Sequence, residues 1–394
     1  MKVLHIEDWF HPEMGYQINY FAKFHNPEID FYILTGDSLN IWGDPYSKAE
    51  LKKIDEKFEK ENKIKIIRLK TCLVRNGKQN IWLRKMSKRI NEIEPDIIYL
   101  HTIETLTSFR IFSNNKILGE YKVVADTHIL NNQFKDNYKY KLFCWLLKKV
   151  AVRKINQKNI KVFYTTEENR NILIEKYGIN PELVKSCLIG TDTSIFYYDE
   201  NQREKTRNNL NIGPETPVLL YVGKINNIKK PHLILEALKI IDNKINNKLV
   251  AVFIGPKSKD YFEKYFSQLP YFSQIEIKLL DPIKNNILYK YYSMADFIVF
   301  PKENSLSSLD AQSCSLPVIM EDDPTNRERL KQGGLVYKIN DIENLAEKIL
   351  YLIRNPDKRK MMGINGKEYI KDKYNYLSII RNMENEIVLT YKNQ

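Results

Sequence analysis

Short apolar runs alternate with helical patterns along the whole chain. Lys2–Ile6 is a β-rich run, and Tyr16–Phe24 has helical spacing. Phe31–Leu34 reads as a strand that ends in Thr35-Gly36. Lys63–Arg68 alternates polar and apolar residues as a half-buried strand does. Asn80–Ile93 carries Ile81, Leu83, Met86, Ile90 and Ile93 at helical spacing. Further runs follow at Ile97–Leu100, Lys122–Ala125, Val162–Tyr164 and Ser186–Ile189. The second half repeats the scheme. Strands are predicted at Val218–Val222, Leu249–Ile254, Ile275–Leu280, Phe297–Phe300 and Leu316–Met320. Helices are predicted at Pro231–Ile241, Glu343–Arg354, Asp357–Tyr374 and Leu377–Leu389. Continuous β-branched runs flanked by helices predict α/β architecture with doubly wound parallel sheets. The polar stretch Asn201–Glu215, with Gly213-Pro214, is the most linker-like, which places a boundary between Tyr197 and Pro217.

The chain's 394 residues suit two domains, each with its own core. Mean hydropathy is −0.46. No apolar run approaches the ~18–20 residues of a membrane span. The start, Met1-Lys2-Val3-Leu4-His5-Ile6-Glu7-Asp8, puts acids where a signal peptide is apolar, which argues against export. Cys72, Cys144, Cys187 and Cys314 show no short paired spacing, which fits a reducing cytosol and argues against a cysteine zinc site.

The net charge of +13 is spread evenly. The first 200 residues hold 32 bases and 26 acids and the remainder 30 and 23, so the halves carry +6 and +7. Within the first half, Lys63–Arg89 holds ten bases and no acid. Lys135–Lys161 holds nine bases opposed only by Asp136, with Phe134, Tyr138, Tyr140, Leu142, Phe143, Trp145, Leu146 and Leu147 among them. Such interleaving suits a helix at an anionic membrane surface, and equally an amphipathic helix packed in the first domain. No Gly-aromatic RNA-binding signature or helix-turn-helix pattern accompanies the charge, so a nucleic-acid binder ranks low.

Ligands of doubly wound sheets sit outside the carboxyl ends of the strands. Four segments there carry candidate chemistry. Phe10–Tyr16 contains Gly15 between a strand and a helix, a weak anion-loop signal. Val124-Ala125-Asp126-Thr127-His128 puts an acid and a histidine at a strand end, and His101 and His11 hold similar places; each is equally readable as a structural histidine. Gly223-Lys224 through Lys229-Lys230-Pro231 places two lysines five apart before a helix, suited to a diphosphate. Phe300–Ile319 enters a Ser-rich turn bracketed by Glu303 and Asp310, with Ser305 or Ser307 as the expected helix cap. There a loop carboxylate suits sugar hydroxyls, a carboxylate one turn into the helix suits a ribose diol, and the intervening amides of Ser305, Leu306 and Ser307 suit phosphate oxygens.

With these residues in place the chain resembles the retaining GT-B glycosyltransferases of the family 4 type, the glycosyl transferases group 1. Ile189-Gly190-Thr191-Asp192 with Phe196 resembles the family's Asn-Gly-Val-Asp…Phe segment. Gly223-Lys224…Lys229 resembles its Gly-Arg…Lys phosphate clamp, with Lys224 in the arginine's place. Asp310-Ala311-Gln312-Ser313-Cys314-Ser315-Leu316-Pro317-Val318-Ile319 resembles its Glu-Ala-Met-Ala-Cys-Gly-Leu-Pro-Val-Ile element. Three departures stand out. Asp310 replaces the second glutamate, Ser315 replaces a glycine, and Glu303 lies six residues before Asp310 rather than seven. Strict spacing would put Lys302 in the first acidic place.

The resemblance implies a GT-B enzyme. It has an acceptor-side Rossmann-like domain over residues 1–200 and a nucleotide-sugar domain over 201–375, facing across a cleft. A terminal helix over 376–394 crosses back to the first domain. It implies a metal-independent transferase without a cofactor, its donor a UDP- or GDP-sugar. Lys224 and Lys229 neutralise the diphosphate beside Gly223, Glu303 holds donor sugar hydroxyls, and Asp310 holds the ribose. His128 contacts the sugar near the reacting carbon, with Asp126 and Gly15 on the acceptor side. The expected product is a cell-surface polysaccharide, lipopolysaccharide or glycolipid. The expected place is cytoplasmic, peripheral on the inner face of the membrane. A catalytically degenerate subunit supporting a partner enzyme is the alternative.

Overall fold

The computed structural model describes residues 1–37, 47–72, 81–302 and 305–392. They divide into two compact units, Met1–Ile189 together with Leu377–Gln394, and Gly190–Tyr376. The first unit holds a sheet of β1 (Lys2–Ile6), β2 (Asp30–Gly36), β3 (Lys65–Leu69), β4 (Ile97–Leu100), β5 (Lys122–Thr127), β6 (Val162–Tyr164) and β7 (Val184–Ser186). Every pairing is parallel, in the order β3-β2-β1-β4-β5-β6-β7. The order reverses between β1 and β4, where Ile6 lies opposite Leu100 and the His101 amide donates to the Ile6 carbonyl at 3.1 Å.

One face of this sheet feeds Leu4, Ile6, Leu34, Leu100 and Val123 into an aliphatic core. The other carries a row of stacked rings. His5 lies 4.1 Å from Phe31 and 4.9 Å from Tyr99, and Tyr99 lies 5.8 Å from Phe163. The last helix, Tyr376–Lys392, is held on this unit by polar contacts near its middle as well as by its buried Ile380, Met383 and Ile387. The Asn26 amide donates to Glu384 Oε1 at 2.8 Å, and Lys161 pairs with Glu386 at 2.7 Å.

The second unit repeats the plan with β8 (Val218–Val222), β9 (Leu249–Ile254), β10 (Ile275–Leu280), β11 (Phe297–Phe300), β12 (Val318–Glu321) and β13 (Gly334–Tyr337). The order is β10-β9-β8-β11-β12-β13, all parallel. Alternate residues of β8 go to opposite cores, Leu219 and Tyr221 to one, Val218, Leu220 and Val222 to the other. Burial on both faces explains why the strand reads as a continuous apolar run.

Three sequence expectations change. Asn201–Glu215 is not a linker; Glu200–Asn209 is a helix capped by Asp199. Arg203 and Arg207 on it donate to Asp296 at 2.9 and 2.7 Å, so polar residues that read as solvated are anchors. The units therefore part at Ile189–Gly190, before the expected boundary. The helix expected over Asn80–Ile93 is Met86–Ile93, because Trp82–Leu83 pairs with Thr71–Cys72 as a short antiparallel ladder; Asn80 itself lies outside the described residues.

Candidate functional site

In the second unit the order reverses between β8 and β11, which pair through Leu219–Phe297 and Leu220–Ile298. The two segments that follow these strands are the two predicted donor-binding segments. After β8 the chain turns at Gly223, whose backbone lies against that of Gly255 at the end of β9. A Cβ on Gly255 would stand 2.0 Å from the Gly223 carbonyl oxygen. The Gly223 amide donates to Ile254 O at 2.9 Å, and the Tyr221 hydroxyl donates to the Lys224 carbonyl at 2.8 Å. Asn226 Oδ1 then accepts from the Ile228 and Lys229 amides at 3.1 and 2.9 Å, closing the turn before helix His232–Ile241. Lys224 is exposed and Lys229 half-buried on this turn. A strand end with a fixed turn and two cations directly before a helix is an arrangement that takes phosphate oxygens.

After β11, Lys302 is committed elsewhere. Its ammonium pairs with Glu321 at the end of β12 and donates to Asn340 Oδ1 at 2.8 Å. Glu303, the expected ligand of donor sugar hydroxyls, lies outside the described residues. Helix Ser307–Ser313 starts without a side-chain cap, so the expected Ser305 or Ser307 cap does not form. Its cap position is Leu306 in a helical conformation, and the Ser308 amide and hydroxyl return to the Ser305 carbonyl at 3.2 and 2.7 Å. A hydroxyl cap needs an extended residue at that place, which this tight turn does not supply.

Asp310 stands one turn into the helix. Its Oδ1 accepts the Thr191 hydroxyl at 2.5 Å. Burial pushes its carboxyl up to about 7, against the Thr191 bond and with Asp192 adding to the rise. Thr191 is itself pinned, its amide donating to Tyr374 O at 2.8 Å and its carbonyl accepting from the Tyr376 amide at 3.1 Å. Sequence reading singled out the Gly190-Thr191-Asp192 segment only as a resemblance. The hydroxyl's role appears only when the fold brings position 191 to position 310.

In the first unit a chain of titratable groups runs along the carboxyl ends of β1, β4 and β5. His5 Nδ1 lies 3.1 Å from His101 Nε2, and His101 Nδ1 lies 2.9 Å from Asp126 Oδ2. Asp126 Oδ1 accepts the Thr102 amide at 2.7 Å. Burial pulls His101 down, but the Asp126 carboxylate outweighs it and holds the ring toward its charged form. Burial and the neighbouring His101 keep His5 well below the ordinary histidine range. A charged His101 donates from both nitrogens, so His5 accepts at Nδ1.

His128 Nε2 stands 3.7 Å from Asp126 Oδ1, and its side chain is 36% exposed. Burial lowers its pKa, so the ring is neutral near pH 7 and can reach a ligand. Asp126 is 1% exposed with both oxygens engaged, so it orients histidines and does not touch a ligand. His11 is buried in the loop, where its Nδ1 accepts the Glu13 amide at 3.0 Å. Gly15 on that loop has φ +67°, with no atom within 4 Å of where a Cβ would stand.

Sequence reading missed three acids here. Glu7, Asp8 and Glu104 are each pushed up by burial to about 7. Their signal was position, two acids directly after the first strand and one after β4.

The basic stretches are partly neutralised. Arg68 is bonded to Asp55 through Nε and Nη2 at 2.6 and 2.7 Å, and Arg89 pairs with Glu92 at 2.7 Å; residues 73–80 of that stretch lie outside the described residues. Helix Tyr138–Leu147 in the second stretch leaves Tyr138 78%, Leu142 43%, Trp145 54% and Leu146 38% exposed. Among the described residues no helix is long and apolar enough to cross a membrane, and no group of three His, Cys, Asp or Glu could hold a metal.

A family model of glycosyl transferases group 1 matches residues 202–369. The matched residues lie within the second unit. The D-inositol 3-phosphate glycosyltransferase of Geodermatophilus obscurus is 28% identical over 165 residues, 39% of this chain and 36% of that protein. The spore coat protein SA of Bacillus subtilis is 24% identical over 216 residues, 50% of this chain and 57% of that protein. These matches span about half the length, or less, of the curated relatives. Among solved structures, Anabaena Alr3699/HepE in complex with UDP superposes with a TM-score of 0.74 at 14% identity, covering 99% of this chain and all of that one. WaaG, a glycosyltransferase of lipopolysaccharide biosynthesis, superposes with a TM-score of 0.66 at 14% identity, covering 98% and 99%. The fold is GT-B, with two Rossmann-like units.

Proposed function

We propose that this protein is a retaining, metal-independent glycosyltransferase. It moves a hexosyl group from a nucleotide diphosphate sugar to an acceptor hydroxyl in cell-surface polysaccharide, lipopolysaccharide or glycolipid synthesis. One observation carries the reading. The Gly223-Lys224 turn and the Asp310 helix, 87 positions apart at Gly223 and Asp310, follow adjacent strands at the point where the strand order reverses. UDP is the favoured nucleotide, because HepE was crystallised with UDP and with UDP-glucose.

In this reading the diphosphate leaves as the bond to the sugar breaks. Lys224 and Lys229 meet negative charge that grows in the transition state, which is where fixed cations accelerate the step most. Asp310 accepts hydrogen bonds from the ribose diol. The Thr191 hydroxyl fixes one of its oxygens and leaves the other for the ligand. Glu303 holds sugar hydroxyls, and the neutral His128 ring meets the sugar on the acceptor side. The protein works at the cytoplasmic face of an anionic membrane. The exposed Tyr138, Leu142, Trp145 and Leu146, set among lysines, suit the headgroup layer.

The test is nucleotide release from UDP-, GDP-, ADP- and CMP-sugars with and without chelator. The anomeric configuration of the product is then read by NMR. A donor at 100 times its Kd adds about 2.7 kcal/mol of stability, which a thermal shift detects. Loss of activity in chelator, or an inverted product, overturns the corresponding part. The second reading, a degenerate subunit, is favoured by Lys302 standing in the strict place of the first acid and bonded to Glu321. Donor binding without turnover on any acceptor would establish it.

A further inference from the structure

Among the described residues ten that are not glycine have positive φ, and Thr102 alone of them is β-branched. Its φ is +69°. A branched side chain in the left-handed region crowds its own backbone, so the conformation persists only where neighbours impose it. Four hydrogen bonds do so here. Asp126 Oδ1 accepts the Thr102 amide at 2.7 Å. The Thr102 carbonyl accepts the Ser108 hydroxyl at 2.9 Å and the Thr105 amide at 3.3 Å. The Ile103 amide donates to the Asp126 carbonyl at 2.9 Å. Glycine would adopt this turn without strain. A threonine held there points to a use for its side chain.

That side chain is half-buried. Its hydroxyl is open to solvent and has no hydrogen-bond partner among the described residues. It stands where the first sheet reverses its order, the place at which doubly wound sheets take ligands. Ile6 lies opposite Leu100, and Glu7 and Thr102 follow within two residues of that pair. Glu7 is half-buried; its Oε1 accepts the Trp9 amide at 3.3 Å, and it has no ion pair among the described residues.

The ligand's charge follows from what surrounds these groups. Residues 7–16, 101–109 and 126–134, the segments after β1, β4 and β5, contain no Lys or Arg, in a chain that has 62. His101, which Asp126 holds toward its charged form, is 5% exposed and spends its nitrogens on His5 and Asp126. The polar groups left open include the Glu7 carboxyl, the Thr102 hydroxyl and the neutral His128 ring. Such a set hydrogen-bonds hydroxyl groups and offers a phosphate no fixed cation.

We propose that Thr102 and Glu7 bind an uncharged sugar diol at this reversal point. The Thr102 hydroxyl meets one sugar hydroxyl and the Glu7 carboxyl its neighbour. That the sugar is the acceptor rests on the glycosyltransferase reading; that it binds does not.

The test is saturation-transfer NMR on the full chain, titrated with the methyl α-glycosides of glucose, galactose and mannose. Cyclohexanol is the ring with a single hydroxyl, and methyl α-glucosaminide the cationic sugar. At least one neutral glycoside should bind, and cyclohexanol should not. Thr102→Val keeps the branch and loses the hydroxyl, so it should weaken that glycoside about three- to tenfold. Thr102→Ser should bind like the parent, and Glu7→Ala should lose at least as much as Thr102→Val. Thr102→Gly should lose the glycoside too, yet raise Tm by about 2–4 °C, because the strain leaves with the side chain. UDP titrated into each variant should bind as in the parent, so this site is read apart from the donor site. UDP failing to bind the parent, with the glycoside effects intact, would remove the transferase reading and leave the sugar site. No binding of a neutral glycoside, binding of methyl α-glucosaminide alone, equal binding of cyclohexanol, parent-like affinity in Thr102→Val, or a lower Tm in Thr102→Gly would each overturn the proposal.

Discussion

The Thr191 hydroxyl donates to Asp310 Oδ1 at 2.5 Å, joining the first residues of the second unit to the helix that carries its candidate ribose acid. Thr191→Val removes the donor and keeps the shape. Donor KM should rise several-fold with kcat nearly unchanged, because the ribose is remote from the reacting bond. Asp310→Asn should do the same and more. Since burial holds the Asp310 carboxyl near 7, donor affinity in the parent should improve from pH 6 to pH 8 as the acceptor oxygen loses its proton. A pH-independent Kd, or an equal slope in Asp310→Asn, would show that Asp310 does not meet the ribose.

The phosphate turn is tested through both its charges and its backbone. Charge-assisted contacts contribute ~1.5–3 kcal/mol each, so Lys224→Ala and Lys229→Ala should each weaken UDP binding about tenfold or more. Gly255→Ala touches no ligand, yet its Cβ would stand 2.0 Å from the Gly223 carbonyl. It should therefore weaken UDP binding as well by shifting the turn. Calorimetry on all three variants checks this, and unchanged affinity in both lysine variants removes the turn from the donor site.

Glu303→Gln should cut turnover about 10²-fold if its carboxylate meets the donor sugar in the transition state. Lys302→Gln should leave turnover within a few-fold and cost some stability, because Lys302 is already bonded to Glu321 and Asn340. The opposite pattern in steady-state kinetics would reverse the two roles.

His101 and His128 should separate stability from activity. Removing one partner of a buried ion pair costs about 3–5 kcal/mol, so His101→Ala should destabilise strongly by stranding Asp126. His128→Ala, at a 36% exposed side chain, should keep its Tm and lose turnover. Equal loss of Tm in both would make His128 a structural residue.

Asp8 tests the buried acids. Its carboxyl, like that of Glu7, is raised by burial to about 7 from 3.8 and 4.5 respectively. A raised acid keeps its proton in the folded state while the unfolded chain releases it. Its stabilising contribution is therefore complete below about pH 4 and is lost as pH rises toward 7. Asp8→Asn cannot ionise, so its Tm should fall less than the parent's between pH 5 and pH 8, by about 2–4 °C for each kcal/mol relieved. Parallel Tm profiles would mean that the Asp8 carboxylate has a partner.

The sequence by itself determined the two parallel sheets and most strand positions, because strands buried on both faces must be continuously apolar and helices between them must be amphipathic. Val218–Val222 and Leu249–Ile254 are read to the residue for that reason. It also marked the strand ends at Gly223 and His128 as places for chemistry. What tertiary structure decided is which distant polar groups meet. Asn201–Glu215 looks solvated along the chain, yet Arg203 and Arg207 close on Asp296 nearly 90 positions away. Glu7, Asp8 and Glu104 look like ordinary acids until the fold buries them after the carboxyl ends of two adjacent central strands. Lys302 looks like a candidate until Glu321, on the next strand, takes its charge. Apolar patterning is local because burial is decided by which face a side chain points to. Polar pairing is not, because its energy depends on a partner and on the loss of water, and both come from the fold.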